Sequence, residues 1–254
     1  MDYIRKVAER MLWNAGKVEL WDFSRANQNQ ESRIEAVATV ASICYGKPPR
    51  DAQKLVERLW TESSGLPSSA FEFIRDGRTP GIEDSLRNNP DLATYESGSG
   101  ITIDELVAQH RENIATFRVK IPIFIARQVM RHRQFSYQEL SRRYTDDTRV
   151  PLEFWFPDEK EVGAAAAELW RLAYATEERI YRLLRGLNVR AEIARAVLGT
   201  GLCTEFWMMG DRKAWANYFA LRLDRHAQRE HRDLAQAMHD LLEGYQPEFV
   251  IEAP

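Results

Sequence analysis

Apolar residues recur at helical spacing in residues 2–14 (DYIRKVAERMLWN) and 31–45 (ESRIEAVATVASICY), and the spacing predicts a helix over each. Between them, Val18–Phe23 reads as a short strand. Gly46-Lys47-Pro48-Pro49 stops the second helix, and Asp51 stands where the N-cap of a third, reaching Trp60, belongs. From Ser63 to Gly100 turn-forming residues dominate, in SSGLPSS, RDGRTPG, NNPD and ESGSG. The stretch at about 74–112 reads as an irregular insertion, a lid or an interface arm, within a single domain spanning 1–254. It ends in a short helix, Thr102–Asn113, capped by Thr102 or Asp104.

Ala115–Phe124 then alternates like a strand, which Pro122 confines to an edge or a strand end. Helices over 124–131 and 136–144 flank Arg131-His132-Arg133 in this reading. A long helical pattern covers 159–187 and a shorter one 190–199. Thr204–Met209 reads as a strand and 213–244 as one last long helix. Long helices around short, scattered strands define an α+β class.

Composition narrows the function. The chain has 254 residues, 44% hydrophobic and 29% charged, enough for a packed core. Its 35 Lys and Arg against 38 Asp and Glu leave a formal charge of −3, which argues against a general nucleic-acid binder. The start, MDYIRKVAERMLW, mixes charges among apolar residues, so neither a signal peptide nor a membrane span is expected there. Cys44 and Cys203 are far apart, so no disulfide framework or cysteine metal site is expected. His226 and His231 are five apart, off the spacing of two ligands on one helix face, so no metal site is expected there either. Together these point to a cytoplasmic protein with no membrane or nucleic-acid partner.

The charge balance hides a local excess. Six arginines, at 127, 131, 133, 142, 143 and 149, crowd the segment from Arg127 to Arg149. Guanidinium forks match phosphate oxygens two at a time and stay charged at any working pH. On helices, Arg127 and Arg131 would share a face, with Gln128 beside Arg131, and Glu139 would pair with Arg143. Ser141 and nearby backbone N–H groups can complete a phosphate cradle. A solvated basic face is the other reading of the same residues.

Arg131-His132-Arg133, seven residues and then Ser141 is an RHR-x7-S pattern, and it resembles the signature of the flavin-dependent thymidylate synthases. The likeness covers KIPIFIARQVMRHRQFSYQELSRRY and extends to ARAVLGTG at 194–201 and NYFALRLDRHAQREH at 217–231. It implies that family's fold, with long helices around a small, mainly antiparallel sheet, and a homotetramer with shared active sites. It implies reductive methylation of dUMP to dTMP, with methylenetetrahydrofolate as carbon donor and NADPH as reductant through FAD. Carried over by position, Arg131, His132, Arg133, Asn217 and His226 would hold the flavin. Gln128, Arg131, Glu139, Ser141, Arg143, Arg195 and Arg222 would bind dUMP, with Arg195, Arg222 and Ser141 closest to the chemistry.

The chain departs from the family at Pro67–Phe73, where both histidines of a His-x-Ser/Thr-x-Phe-Glu-His element are absent; by the resemblance, Ser69 and Glu72 would be the flavin contacts left there. Asp211 and Lys213 also stand where the family often has Asn and Arg. Two other readings remain open: a related flavoprotein acting on another pyrimidine nucleotide, and a non-catalytic nucleotide or RNA binder.

Overall fold

The computed structural model describes residues 4–23, 30–46, 51–61 and 114–249. The expected insertion, the Thr102–Asn113 helix, and Ser69 and Glu72 lie outside the described residues. Among the described residues, five strands form one antiparallel sheet: β1 (Arg5–Met11), β2 (Lys17–Asp22), β3 (Ile114–Pro122), β4 (Ser136–Glu139) and β5 (Cys203–Asp211), in the order β1-β2-β3-β5-β4. Helices α1 (Gln30–Ser42) and α2 (Ala52–Thr61) follow β2, and α3 (Ile123–Val129) links β3 to β4. After β4 come α4 (Glu159–Val162), α5 (Ala164–Gly186) and α6 (Ala191–Ala194), and after β5 come α7 (Arg212–Arg222) and α8 (Arg229–Tyr245). The architecture is α+β, as the pattern predicts.

β3 and β5 pair over nine residues, from Ile114 opposite Asp211 to Pro122 opposite Cys203. Period-two alternation sends Phe117, Val119 and Ile121 to one face, where Phe206 and Met208 join them against Trp215, Tyr218, Leu234 and Met238 of α7 and α8. Trp207 and Met209 point to the other face and pack against Val37, Val40 and Ala41 of α1. Both faces of β5 are therefore covered, so its sequence reads as a continuous apolar run. Among the described residues no helix is long and apolar enough to cross a membrane.

Several elements differ from the reading. Residues 5–11 form a strand instead of a helix and pair with β2 from Arg5 opposite Asp22 to Met11 opposite Lys17. The strand is largely exposed, with an irregularity between Lys6 and Ala8, so its apolar positions carry little two-residue period. Pairing with β2, across a turn where Leu12 N donates to Gly16 O (2.9 Å), overrides a local helical spacing. Charged cross-strand contacts, including Arg5–Asp22 (3.2 Å) and Lys6–Glu19 (3.7 Å), protect this outer strand.

Residues 136–139 are likewise strand β4, since they complete the ladder beside β5 and bury Gln138 against Cys44 Sγ (2.8 Å). Gly163, at φ +81°, divides the expected 159–187 helix into α4 and α5. The expected 213–244 helix is two, with residues 223–228 turning the chain between α7 and α8. The remaining elements match: Asp51 caps α2 by accepting Lys54 N (3.0 Å), and Pro122 ends its strand.

Gly210 in β5 makes room for Phe135, whose ring would lie 2.5 Å from an added Cβ. Gly210→Ala is expected to lower stability by roughly 1–3 kcal/mol by displacing Phe135. Thermal denaturation checks this, and an unchanged midpoint would show that the ring has room to move.

Candidate active site

Pro122, lacking an N–H, ends β3 and opens α3. This helix stops at Val129 with Met130 as its C-cap, so Arg131 lies in the following turn and does not share a helix face with Arg127. The turn is held from inside. His132 N donates to Val129 O (3.0 Å), and the Tyr137 hydroxyl bridges the carbonyls of Val129 (2.9 Å) and His132 (3.1 Å). Phe135 packs edge-on against Trp215, centroids 4.6 Å apart.

With its backbone held, the turn exposes Arg131 and Arg133 and turns His132 inward against Tyr218, ring centroids 4.9 Å apart. Arg222 Nε donates to His132 Nε2 at 2.8 Å, joining two residues ninety apart in sequence. Burial, and then the Arg222 charge, lower the His132 pKa to about 4. The ring is thus neutral near pH 7. With Nε2 accepting, its proton sits on Nδ1, which remains a donor. On α7, Asn217 Nδ2 donates to Gln134 Oε1 (3.0 Å) at the rim of the same turn.

Gln128, at the end of α3, donates from Nε2 to Gln228 Oε1 (2.6 Å) and faces His231 Nδ1 with its own oxygen (3.4 Å). His231 is fully buried and meets the Tyr218 hydroxyl at 3.1 Å. Burial first, then Arg222 and His132, lower its pKa to about 3. Sequence reasoning passed over Tyr218 as a polar group and treated His231 only as a metal ligand to exclude. One signal was available: His231, Leu234, Ala235 and Met238 fall on the buried face of α8. His226 pairs with Asp224 (2.8 Å), and Glu230 accepts from Gln228 (2.9 Å).

The other expected site residues form a second group. Glu139 accepts from Thr204 Oγ1 (2.7 Å) and lines a cavity of about 160 Å³ together with Arg195, Arg142 and Leu198. Crowding by surrounding atoms raises the Glu139 pKa, opposed by the Thr204 bond and by the charges of Arg127 and Arg195. Because β4 is a strand, Glu139 does not pair with Arg143, whose guanidinium lies 3.9 Å from Glu192.

Ser141 Oγ accepts the Arg143 amide at 3.4 Å. Arg142 is buried and donates to Val150 O (2.5 Å) and Pro151 O (2.9 Å), so this arginine of the cluster anchors a loop. Cys44 and Cys203 are buried, and burial pushes each thiol up to about 11, as suits small core residues.

The structure thus gathers residues 128, 131–133, 217 and 222 around one turn, while Glu139 and Arg195 line one cavity and Ser141 and Arg143 follow Glu139 in the chain without lining it. Among the described residues no hydrogen bond or ion pair joins Arg195 to the His132–Arg222 pair. The first group presents guanidinium and neutral N–H donors on an α+β framework, a donor set whose chemistry matches the oxygens of an anion.

A family model described as thymidylate synthase complementing protein matches residues 107–248, more than half of the chain, and the chain belongs to that family. It is similar to proteins named flavin-dependent thymidylate synthase. That of Pseudothermotoga lettingae is 34% identical over 143 residues, covering 53% of this chain and 63% of the relative. Those of Thermosipho melanesiensis and Synechocystis sp. are 37% and 30% identical, covering 46% and 44% of this chain and 57% and 58% of the relatives. The chain spans about three fifths of the length of these curated relatives.

Two histidines held neutral by the fold make stability acid-sensitive. Their folded pKa values, about 4 and 3, lie below the ordinary 6.5, so the unfolded chain binds protons that the folded chain refuses. Stability is therefore expected to fall as pH drops from about 6.5 toward 4. Urea unfolding at pH 7 and pH 5 reads this, and replacing both His132 and His231 with Gln should shrink the difference; an unaltered difference would refute the assignment.

Proposed function

We propose that the protein is a flavin-dependent thymidylate synthase. In this reading dUMP takes its new carbon from methylenetetrahydrofolate, with a hydride equivalent supplied by NADPH through FAD and a proton from solvent, yielding dTMP, tetrahydrofolate and NADP+. The observation that carries it is the 2.8 Å contact of Arg222 with His132, which brings two separated sequence blocks to one cationic turn. Membership of the family supports the same assignment.

The donor set fits a flavin. Arg131 and Arg133 are exposed guanidinium groups beside a neutral imidazole that carries its proton on Nδ1, with Asn217 at the rim. Such donors match the carbonyl oxygens of an isoalloxazine ring and the oxygens of a pyrophosphate. Bound FAD would supply the redox chemistry. Arg131, His132, Arg133, Asn217 and His226 are the residues assigned to hold it.

Arg222 and Arg195 would stabilise negative charge developing on the pyrimidine, an electrostatic role suited to fixed guanidinium groups. Gln128, Glu139, Ser141 and Arg143 would orient the nucleotide. The two thiols, buried with raised pKa values, suit an enzyme that uses no cysteine nucleophile, and as free thiols they suit a cytoplasmic location.

The two groups of site residues would then meet between subunits. Supporting this, α5 and its C-cap carry exposed Leu169, Leu172, Leu183 and Leu187, the last 75% exposed, an apolar stripe suited to burial in a homotetramer with shared sites.

Purified protein is expected to be yellow, with near-stoichiometric flavin, and to form dTMP from dUMP, methylenetetrahydrofolate and NADPH. Arg222→Ala should lower kcat/KM for dUMP by about a hundredfold or more, while Lys160→Ala on the exposed surface leaves it unchanged. Colourless protein that binds nucleotides with steep salt dependence would instead identify a non-catalytic binder. Bound flavin and dUMP without dTMP would indicate a related flavoprotein acting on another pyrimidine.

A further inference from the structure

Tyr218 and His231, both fully buried, begin a hydrogen-bonded chain that reaches the surface. The Tyr218 hydroxyl meets His231 Nε2 (3.1 Å), and His231 Nδ1 meets Gln128 Oε1 (3.4 Å). Gln128 Nε2 donates to Gln228 Oε1 (2.6 Å), and Gln228 Nε2 donates to Glu230 Oε2 (2.9 Å).

The direction of this chain is set at its outer end. A carboxylate only accepts, so Gln228 turns its nitrogen to Glu230 and its oxygen to Gln128. Gln128 must then donate outward and face His231 with its own oxygen. His231, kept neutral by burial, carries its proton on Nδ1 to meet that oxygen, and Tyr218 donates to the bare Nε2. With Glu230 in place, each link has one arrangement.

We propose that Glu230 and His231 are positioning residues that lock the Gln128 side-chain amide in one of its two flips, so that its second Nε2–H is the group offered to an acceptor oxygen of the nucleotide. This rests on the reading of Gln128 as a substrate-binding residue. The two ends of an amide are nearly equal in shape and opposite in hydrogen-bonding sense. A free Gln128 would present oxygen as readily as nitrogen, and the oxygen would repel the ligand's own. Locking the flip before binding removes that ordering cost.

The test is calorimetric titration of dUMP into the flavin-loaded holoenzyme. Gln128→Ala is expected to raise the Kd about tenfold, the usual scale for one lost hydrogen bond at a ligand. His231→Leu should raise it several-fold alone and add nothing in the Gln128→Ala background, because both remove the same contact. His231→Asn, which keeps an N–H near the Nδ1 position, should recover most of the affinity. Glu230→Gln, able to donate as well as accept, should weaken binding about threefold without disturbing the core.

An equal effect of His231→Leu in both backgrounds would reduce the residue to packing and overturn the inference, as would wild-type affinity in Glu230→Gln. Wild-type affinity in Gln128→Ala would remove the substrate role of Gln128 and the inference with it. Failure of the broader reading shows separately, as absence of dTMP formation by the wild-type enzyme.

Discussion

The nine-residue antiparallel pairing of β3 with β5 is the constraint on which the site depends. It places Pro122, where α3 begins, beside Cys203, and it places Asp211, where α7 begins, beside Ile114. α3 carries the chain back across the sheet, so that β4 starts opposite Met209 and ends opposite Phe206. The Arg131–Gln134 turn thereby comes to the end of β5 that feeds α7, within reach of Asn217 and Arg222. Glu139 comes to the other end, beside Thr204. The four residues of β4 hold the two groups about 10 Å apart along the strand. The sheet thus fixes where each group stands, and among the described residues no hydrogen bond or ion pair joins Arg195 to the His132–Arg222 pair.

Burial then decides the chemistry of each group. His132 and His231 sit against a permanent guanidinium charge in a partly dehydrated space, so both remain neutral while ordinary histidines titrate. A neutral ring at residue 132 accepts from Arg222 and keeps a donor free, which a protonated ring would not allow. Arg142 shows the opposite use of the same residue type. Buried against the carbonyls of Val150 and Pro151, it orders the loop that carries Ser141 and Arg143 instead of facing a ligand.

Spacing and residue type revealed a good deal in advance. β2, β3 and β5 follow from alternation and apolar runs, α1 and α5 from helical spacing, and the end of β3 from Pro122. The candidate turn is visible as an arginine–histidine–arginine run that follows a largely apolar stretch. β1 and β4 do not show as strands in the sequence, because each is an outer strand that holds little of the two-residue period. Their identity comes from a neighbour's free edge, which local propensity does not contain. The division between α7 and α8 escaped for a related reason. Residues 223–228 contain no glycine or proline to mark the turn, and it is closed by contacts such as Gln128 to Gln228.

By itself the sequence determined the fold class, the cationic turn and the family resemblance, because these depend on residue type and on spacings of a few positions. Only the tertiary structure decided which arginines face outward, which histidines stay neutral and which residues meet. Exposure, protonation and contact depend on what stands opposite a side chain in space, and Arg222 stands opposite a histidine ninety residues away.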